Sequence, residues 1–452
     1  MAETREVNLT LDLCLRVGEL LLANGAGAAD VTATMQSIAR HLGLRNPDID
    51  VTFTSLSMSY QPSPEEPPLA LMRQVWSREI DYEDLTRVDH LVRDLLSDRI
   101  GLTEARATVA RIRSSGHHTR RWAVTLSWGV MSSGTALMLG GTGTVLAVSF
   151  LAAVLIDRTQ LLMSRRRLPA FYLQVVGGLI AGGLAVVALA ALPWLEPRTL
   201  SLMVTANIIM LLSGIGFMGA LQDALTGFYV TSAARLIEAL LATVGIITGV
   251  SGGLALAPLL DVELVRLQPG FSLTPEGVSA LVLGAGLCAS GFAFATYAPR
   301  RAVAAIFLVA GVAMLVNQAV AATDLGRTWS VGTAAFLIGL VAYQVAGRVR
   351  VPPLVLVVPA IVPMLPGLSI YRGLSLLAEG GDTTSRGLLA MITAASVAIA
   401  LASGVILGEY VAQPLKREAR RLESRLAGPR LVGPLRARAV RPAGRGPARR
   451  AR

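Results

Sequence analysis

The run most suggestive of chemistry is Ser213-Gly214-Ile215-Gly216, followed by Asp223, Gly227, Arg235 and Glu238. Glycine weakens a helix, and loosened backbone at membrane depth is tolerated only where it faces protein or a cavity. Amides and carbonyls freed there can hold a zwitterion or an ion. A second interrupted run, Pro363-Met364-Leu365-Pro366-Gly367, follows at an offset of 153 residues. Each proline removes an amide donor and disrupts the helix. Two interrupted apolar segments in matching places point to a transport site. Ordinary glycine and proline helix contacts or helix ends are the plainer alternative.

Few ionisable or polar residues accompany these runs. Asp157 sits in an apolar stretch beside Arg158. Sequence neighbours do not face each other on a helix, so Asp157 needs another polar partner or a water-filled path. It reads as a proton or substrate site, or as an interfacial residue. Asp223 can take a proton or a substrate ammonium in turn, with Arg235 as its counter-charge; a structural ion pair between the two is the equal alternative. Asn207 and Asn317 suit a ligand or a hydrogen bond between helices.

The sequence contains no GxxxxGK[ST] or HExxH run, and Cys14 and Cys288 stand far apart. His41, His90, His117 and His118 all precede the first long apolar run; the last two mark a membrane interface better than a metal site. No cofactor, no metal and no enzymatic role is expected, and an ion gradient is the expected energy source. Asp30, His41, Asp50, Ser55, His90 and Asp94 could serve a hydrolase tethered to the membrane, but no spacing joins them.

The elements that must position these residues follow from composition. The chain has 452 residues, 53% of them hydrophobic and only 16% charged, with a mean hydropathy of +0.57. A soluble domain averages about 25% charged. The net charge of +11 resides in residues 416–452, where thirteen Lys and Arg face Glu418 and Glu423; the rest balances at 28 against 28. No aromatic residue interleaves this basic tail. It suits anionic lipid on the cytoplasmic side rather than nucleic acid.

Residues 1–120 read as a small soluble α+β domain, with no cleavable signal before it. Helical spacing runs through Leu11–Leu21, then from Asp30 to Leu42. Asp50–Tyr60 and Leu69–Ser77, joined by Gln61–Pro68, read as a strand pair, and Tyr82–Leu96 and Thr103–Ile112 as helices. Beyond it come ten apolar runs long enough to cross a bilayer of about 30 Å. They lie near 122–140, 143–163, 171–192, 199–219, 230–255, 277–297, 302–322, 329–347, 351–370 and 387–411. With both termini in the cytoplasm, inner loops carry nine arginines and outer loops five, as the positive-inside rule requires. Ser132-Ser133-Gly134-Thr135-Ala136 matches Ala289-Ser290-Gly291-Phe292-Ala293 at an offset of 157, and Leu212-Ser213-Gly214-Ile215 matches Leu365-Pro366-Gly367-Leu368. An odd number of spans per copy inverts the second copy, so the expected fold is a polytopic α-helical membrane protein. It has ten transmembrane helices as a five-plus-five inverted repeat. The modules are residues 121–256 and 257–415, and 416–452 form a basic disordered tail.

Several of these segments resemble the threonine/serine exporter family of bacterial inner-membrane proteins. VGELLLANGAGAADVTATMQSIARHLGL (Val17–Leu44) is similar to that family's opening stretch. GALQDALTGFYVTSAARLIEALL (Gly219–Leu241) resembles its Asp-x-x-x-Gly…Arg-Leu segment. ASGFAFATYAPRR (Ala289–Arg301) and VPMLPGLSIYRG (Val362–Gly373) resemble its carboxy-terminal module. The likeness covers most of residues 10–411. One departure is Ser213-Gly214 where relatives tend to show Pro-Gly. The resemblance implies export of small hydrophilic metabolites by the proton motive force, threonine and serine first, with a dicarboxylate such as succinate as the alternative. Its implied partners are amino acid, protons and membrane lipid; a homo-oligomer stays open.

Overall fold

Leucines at helical spacing start the fold: α1 (Ala2–Ala23) buries Leu11, Leu15 and Leu22 and stops before Gly25, whose φ of +95° ends the helix. The computed structural model describes residues 2–76, 78–211, 214–262, 275–323 and 325–426, the side chains of 2–4, 214, 215, 275, 276, 379 and 413–426 excepted. α2 (Ala28–His41) buries Val31, Met35, Ile38 and Ala39. The expected strand pair is a three-stranded antiparallel sheet, β1 (Asp48–Thr52), β2 (Ser55–Tyr60) and β3 (Leu69–Gln74), in the order β1-β2-β3. The stretch read as one strand folds back at Phe53-Thr54, where Phe53 takes φ +45°. α3 (Tyr82–Leu96) is capped by Asp81, which accepts from the Glu83 and Asp84 amides at 3.0 Å. α4 (Leu102–Ser114) completes this amino-terminal lobe.

The remaining helices are α5 (Arg121–Met138), α6 (Gly143–Arg165), α7 (Ala170–Ala191), α8 (Arg198–Leu211), α9 (Gly214–Leu225) and α10 (Tyr229–Leu254). After them come α11 (Pro275–Ala295), α12 (Arg300–Ala321), α13 (Gly326–Val349), α14 (Leu354–Ile361), α15 (Gly367–Glu379) and α16 (Thr384–Leu426). Among the described residues, seven helices are long and apolar enough to cross a membrane: α6, α7, α10, α11, α12, α13 and α16. Two further pairs, α8 with α9 and α14 with α15, each bent by 47°, bring the number to nine. α5 is absent from that set: its eighteen residues include Arg121, Thr125, Ser127, Ser132, Ser133 and Thr135. Leu151, Leu308, Leu389 and Leu407 stand exposed on spans, as side chains in contact with lipid do. Trp122, Tyr172, Tyr229 and Trp329 are exposed at helix starts, where aromatic belts form.

Glycine lets these helices touch through their backbones. A Cβ on Gly249 of α10 would collide with the Val175 carbonyl of α7, and one on Gly408 of α16 with the Phe336 carbonyl of α13. α5 and α11 meet likewise: a Cβ on Gly134 would lie 2.6 Å from the Cys288 amide, and one on Gly291 2.7 Å from the Met131 amide. Backbone cannot give way as a side chain does. Gly249→Ala should therefore destabilise detergent-purified protein by about 1–3 kcal/mol in a thermal melt. Gly252→Ala, whose nearest neighbour is the flexible tip of Leu179 at 3.4 Å, should melt as the parent does.

Candidate functional site

Gly227, at φ +94°, turns the chain between α9 and α10 and brings Asp223 back against Arg235. Their side chains form a buried ion pair, Arg235 Nη1 to Asp223 Oδ2 at 2.6 Å, 9% and 1% exposed. The partners continue into the amino-terminal lobe. Asp223 Oδ1 accepts the Ala28 amide at 3.0 Å, and Arg235 Nη2 donates to the Ala26 carbonyl at 3.4 Å. α2 begins after Gly27, which has no side chain to cap it. Asp223 supplies that cap from a distant part of the chain, placing negative charge at the positive end of the helix. Beside it, Thr231 Oγ1 accepts the Phe53 amide at 3.0 Å and donates to the Val51 carbonyl at 3.2 Å. The β1–β2 turn is thereby seated on α10.

Further charges gather at this junction. Arg78 lies over the Phe53 ring, 5.4 Å from its centroid, and its Nη1 is buried without a hydrogen-bond partner among the described residues. Loss of water lowers the Arg78 pKa, while Glu238 and Asp223 act to raise it. Asp30 and Asp223 flank Gly27: a Cβ there would lie 3.7 Å from Asp223 Oδ1 and 3.8 Å from Asp30 Oδ2. The Asp30 side chain remains open to water, yet surrounding protein strips enough solvent to raise its pKa. No described group hydrogen-bonds or ion-pairs with its carboxylate. Glu238 is exposed one turn beyond Arg235.

The other residues singled out in the sequence lie apart from this junction. Both Asp157 oxygens are taken, by Arg121 Nη2 and Thr125 Oγ1 at 2.7 Å each, joining α6 to α5. Asn207 accepts from Ser132 at 3.1 Å and donates to the Met203 carbonyl at 2.9 Å, joining α8 to α5. Asn317 donates to the Met314 sulfur, 3.6 Å away. Gly214 opens α9; Ser213 lies outside the described residues. Pro366 precedes α15, which Gly367 opens. The two bent pairs do meet: Phe217 of α9, Ala239 of α10, Ile370 of α15 and Ala394 of α16 share one buried apolar cluster.

Arg78 and the Ala26–Ala28 backbone were not singled out. The small run Asn24-Gly25-Ala26-Gly27, which starts a helix with no capping side chain, was the available signal. Among the proposed hydrolase residues, His41 pairs with Asp98 at 3.1 Å and His90 with the Arg350 carbonyl at 3.2 Å, two separate contacts that share no residue. Among the described residues no group of three or more His, Cys, Asp or Glu could hold a metal.

Two family descriptions cover the chain. Residues 12–257 match "Putative threonine/serine exporter" and residues 281–411 match "Threonine/Serine exporter, ThrE". The chain is 35% identical over 436 residues to the "Probable threonine/serine exporter" of Mycobacterium tuberculosis, covering 94% of this chain and 80% of that one. It is 30% identical over 426 residues to the "Threonine/serine exporter" of Corynebacterium glutamicum, covering 93% and 86%. No solved structure matches. Matched over nearly its whole length, lobe and membrane helices together, the chain belongs to the threonine/serine exporter family.

Proposed function

We propose that the chain exports small hydroxylated amino acids, threonine and serine first, out of the cytoplasm at the expense of the proton gradient. The observation that carries this reading is the meeting of two bent helix pairs, α8/α9 and α14/α15, at one apolar cluster shared with α10 and α16. Breaks at membrane depth free amides and carbonyls for a polar solute, and paired breaks are the hallmark of alternating-access carriers. The substrate class comes from the names of the relatives.

In this reading α5 is the tenth span, shielded by its neighbours rather than lipid, and the spans form an inverted five-plus-five repeat. The glycine contacts support it. α7 grips α10 in the first half as α13 grips α16 in the second, and the two opening helices, α5 and α11, grip each other. Both termini and the lobe face the cytoplasm of a bacterial inner membrane, in line with the arginine bias. Asp223 exchanges a proton against the substrate ammonium, with Arg235 holding it in the empty state.

Purified protein in liposomes should move labelled threonine when a proton gradient is imposed, and an uncoupler should stop it. Flux that needs ATP and ignores the uncoupler would defeat the proposal. Asp223→Asn keeps an acceptor for the Ala28 amide but leaves Arg235 buried without its counter-charge, a loss of about 3–5 kcal/mol. The double change Asp223→Asn, Arg235→Gln should regain most of that stability in a melt yet stay without proton-coupled flux. Full uncoupler-sensitive flux in the double variant would leave the pair a purely structural role.

A further inference from the structure

Six charged side chains of the amino-terminal lobe meet at one place. Asp12, Arg16 and Glu19 recur at helical spacing along α1 and share one face. Arg73 of β3 alternates in step with Leu69 and Leu71, which pack on the lobe core, and so points the same way. Arg106 and Arg113 lie two turns apart on α4. Asp12 accepts from Arg16 Nε at 2.9 Å, Arg106 Nη2 at 2.9 Å and Arg73 Nη2 at 3.1 Å. Glu19 accepts from Arg73 Nη1 at 2.8 Å and Arg113 Nη1 at 3.2 Å. Hydrogen bonds to shared carboxylates thus set four guanidiniums side by side. Burial works to raise the Asp12 pKa, but the hydrogen bonds from Arg16, Arg106 and Arg73 bring it below the ordinary range, so the acid stays charged. Four positive charges then face two negative ones, a surplus of two within this network. A guanidinium carries five N–H donors. Arg106 spends one of them on Asp12, and its Nε is buried with no hydrogen-bond partner among the described residues.

We infer that this cluster is a binding site for a phosphate group, held between α1, β3 and α4 of the lobe. Like charges side by side repel, and a surplus of two is offset by one phosphate, which carries about −1.5 to −2 near neutral pH and three strong acceptor oxygens. The planar fork of arginine matches phosphate geometry bidentately. A single carboxylate would leave half of the surplus in place. The two acids are part of the site: they hold the guanidiniums in register before the ligand arrives, as a preorganised site requires. The phosphate belongs to a phosphorylated solute or to the headgroup of an anionic lipid, which present the same chemistry. The site is independent of the export reading.

The test titrates full-length protein in phosphatidylcholine nanodiscs with inorganic phosphate and pyrophosphate by calorimetry, at constant ionic strength and with chloride as the comparison anion. Both phosphates should bind with a Kd below about 10 mM and raise the melting midpoint, and chloride should do neither. Arg113 makes one ion pair and its side chain is 61% exposed, so Arg113→Gln should fold as the parent does and bind phosphate about tenfold more weakly. Arg106→Gln should weaken binding at least as far. Arg45→Gln, which removes an exposed lobe arginine outside the cluster, should change nothing. Asp12→Asn separates a site from a network that only braces the lobe. It removes a counter-charge, so the unliganded protein should melt lower while phosphate binds more tightly and recovers part of the loss. Nanodiscs containing phosphatidic acid identify the source: affinity for free phosphate falls about tenfold if headgroups reach the cluster, and stays unchanged if the ligand is a solute. Phosphate binding that is absent up to about 10 mM, matched by chloride, or equal in wild type and both arginine variants overturns the inference. So does an Asp12→Asn protein that melts lower and is not rescued by phosphate.

Discussion

One carboxylate holds the molecule together at its most consequential point. Asp223 ends a membrane helix, neutralises a buried arginine on the next and caps the first turn of a helix in the lobe. Each partner alone would be costly to bury: a guanidinium without a counter-charge, a helix start without an acceptor. Together they compensate one another. Because the three partners come from α9, α10 and α2, the lobe cannot shift on α10 without exposing or orphaning all of them. The Thr231 hydroxyl adds a second fixed point on the same helix, one turn before Arg235. On its other flank the lobe is tied to α11, where the Tyr82 amide donates to the Thr296 carbonyl at 2.9 Å and the Tyr82 ring meets Phe292 edge to face.

Inside the membrane region two kinds of contact coexist. Glycine faces join α7 to α10 and α13 to α16 so closely that no side chain fits between them. Such faces behave as rigid units, since backbone against backbone leaves little to adjust. The bent pairs differ. At the α14/α15 break Pro363 and Pro366 donate no amide, and a short 3-10 turn replaces the α-helix over Val362–Met364. Stiff pairs flanking loosened ones put any motion at the breaks.

The sequence made seven of the ten expected spans legible as single long helices, because apolar runs of that length have few other uses, and helix α3 was readable from its amphipathic spacing. It read two strands where three exist, because alternation persists through the Phe53-Thr54 turn and neither residue is a glycine or proline. The Asp223–Arg235 pair could be suspected from a shared loop. Its link to Ala28 could not, since a backbone amide leaves no mark in the side-chain pattern. Asp157 illustrates the opposite case. Its partner Arg121 sits 36 positions away at the start of α5, and nothing in the spacing selects it from the other arginines.

The cap on α2 has a consequence for how the chain is made. Ala28 and Asp223 are separated by 195 positions. At ordinary elongation rates the acid is added roughly 10–40 s after the amide it will bind. Through that interval the lobe exists without its lock, and its first helices must persist on their own leucine core. Final docking waits until α10 has delivered Arg235 beside Asp223. The nascent lobe therefore matures last at the place that was synthesised first, and its closure reports that the chain has been made through α10.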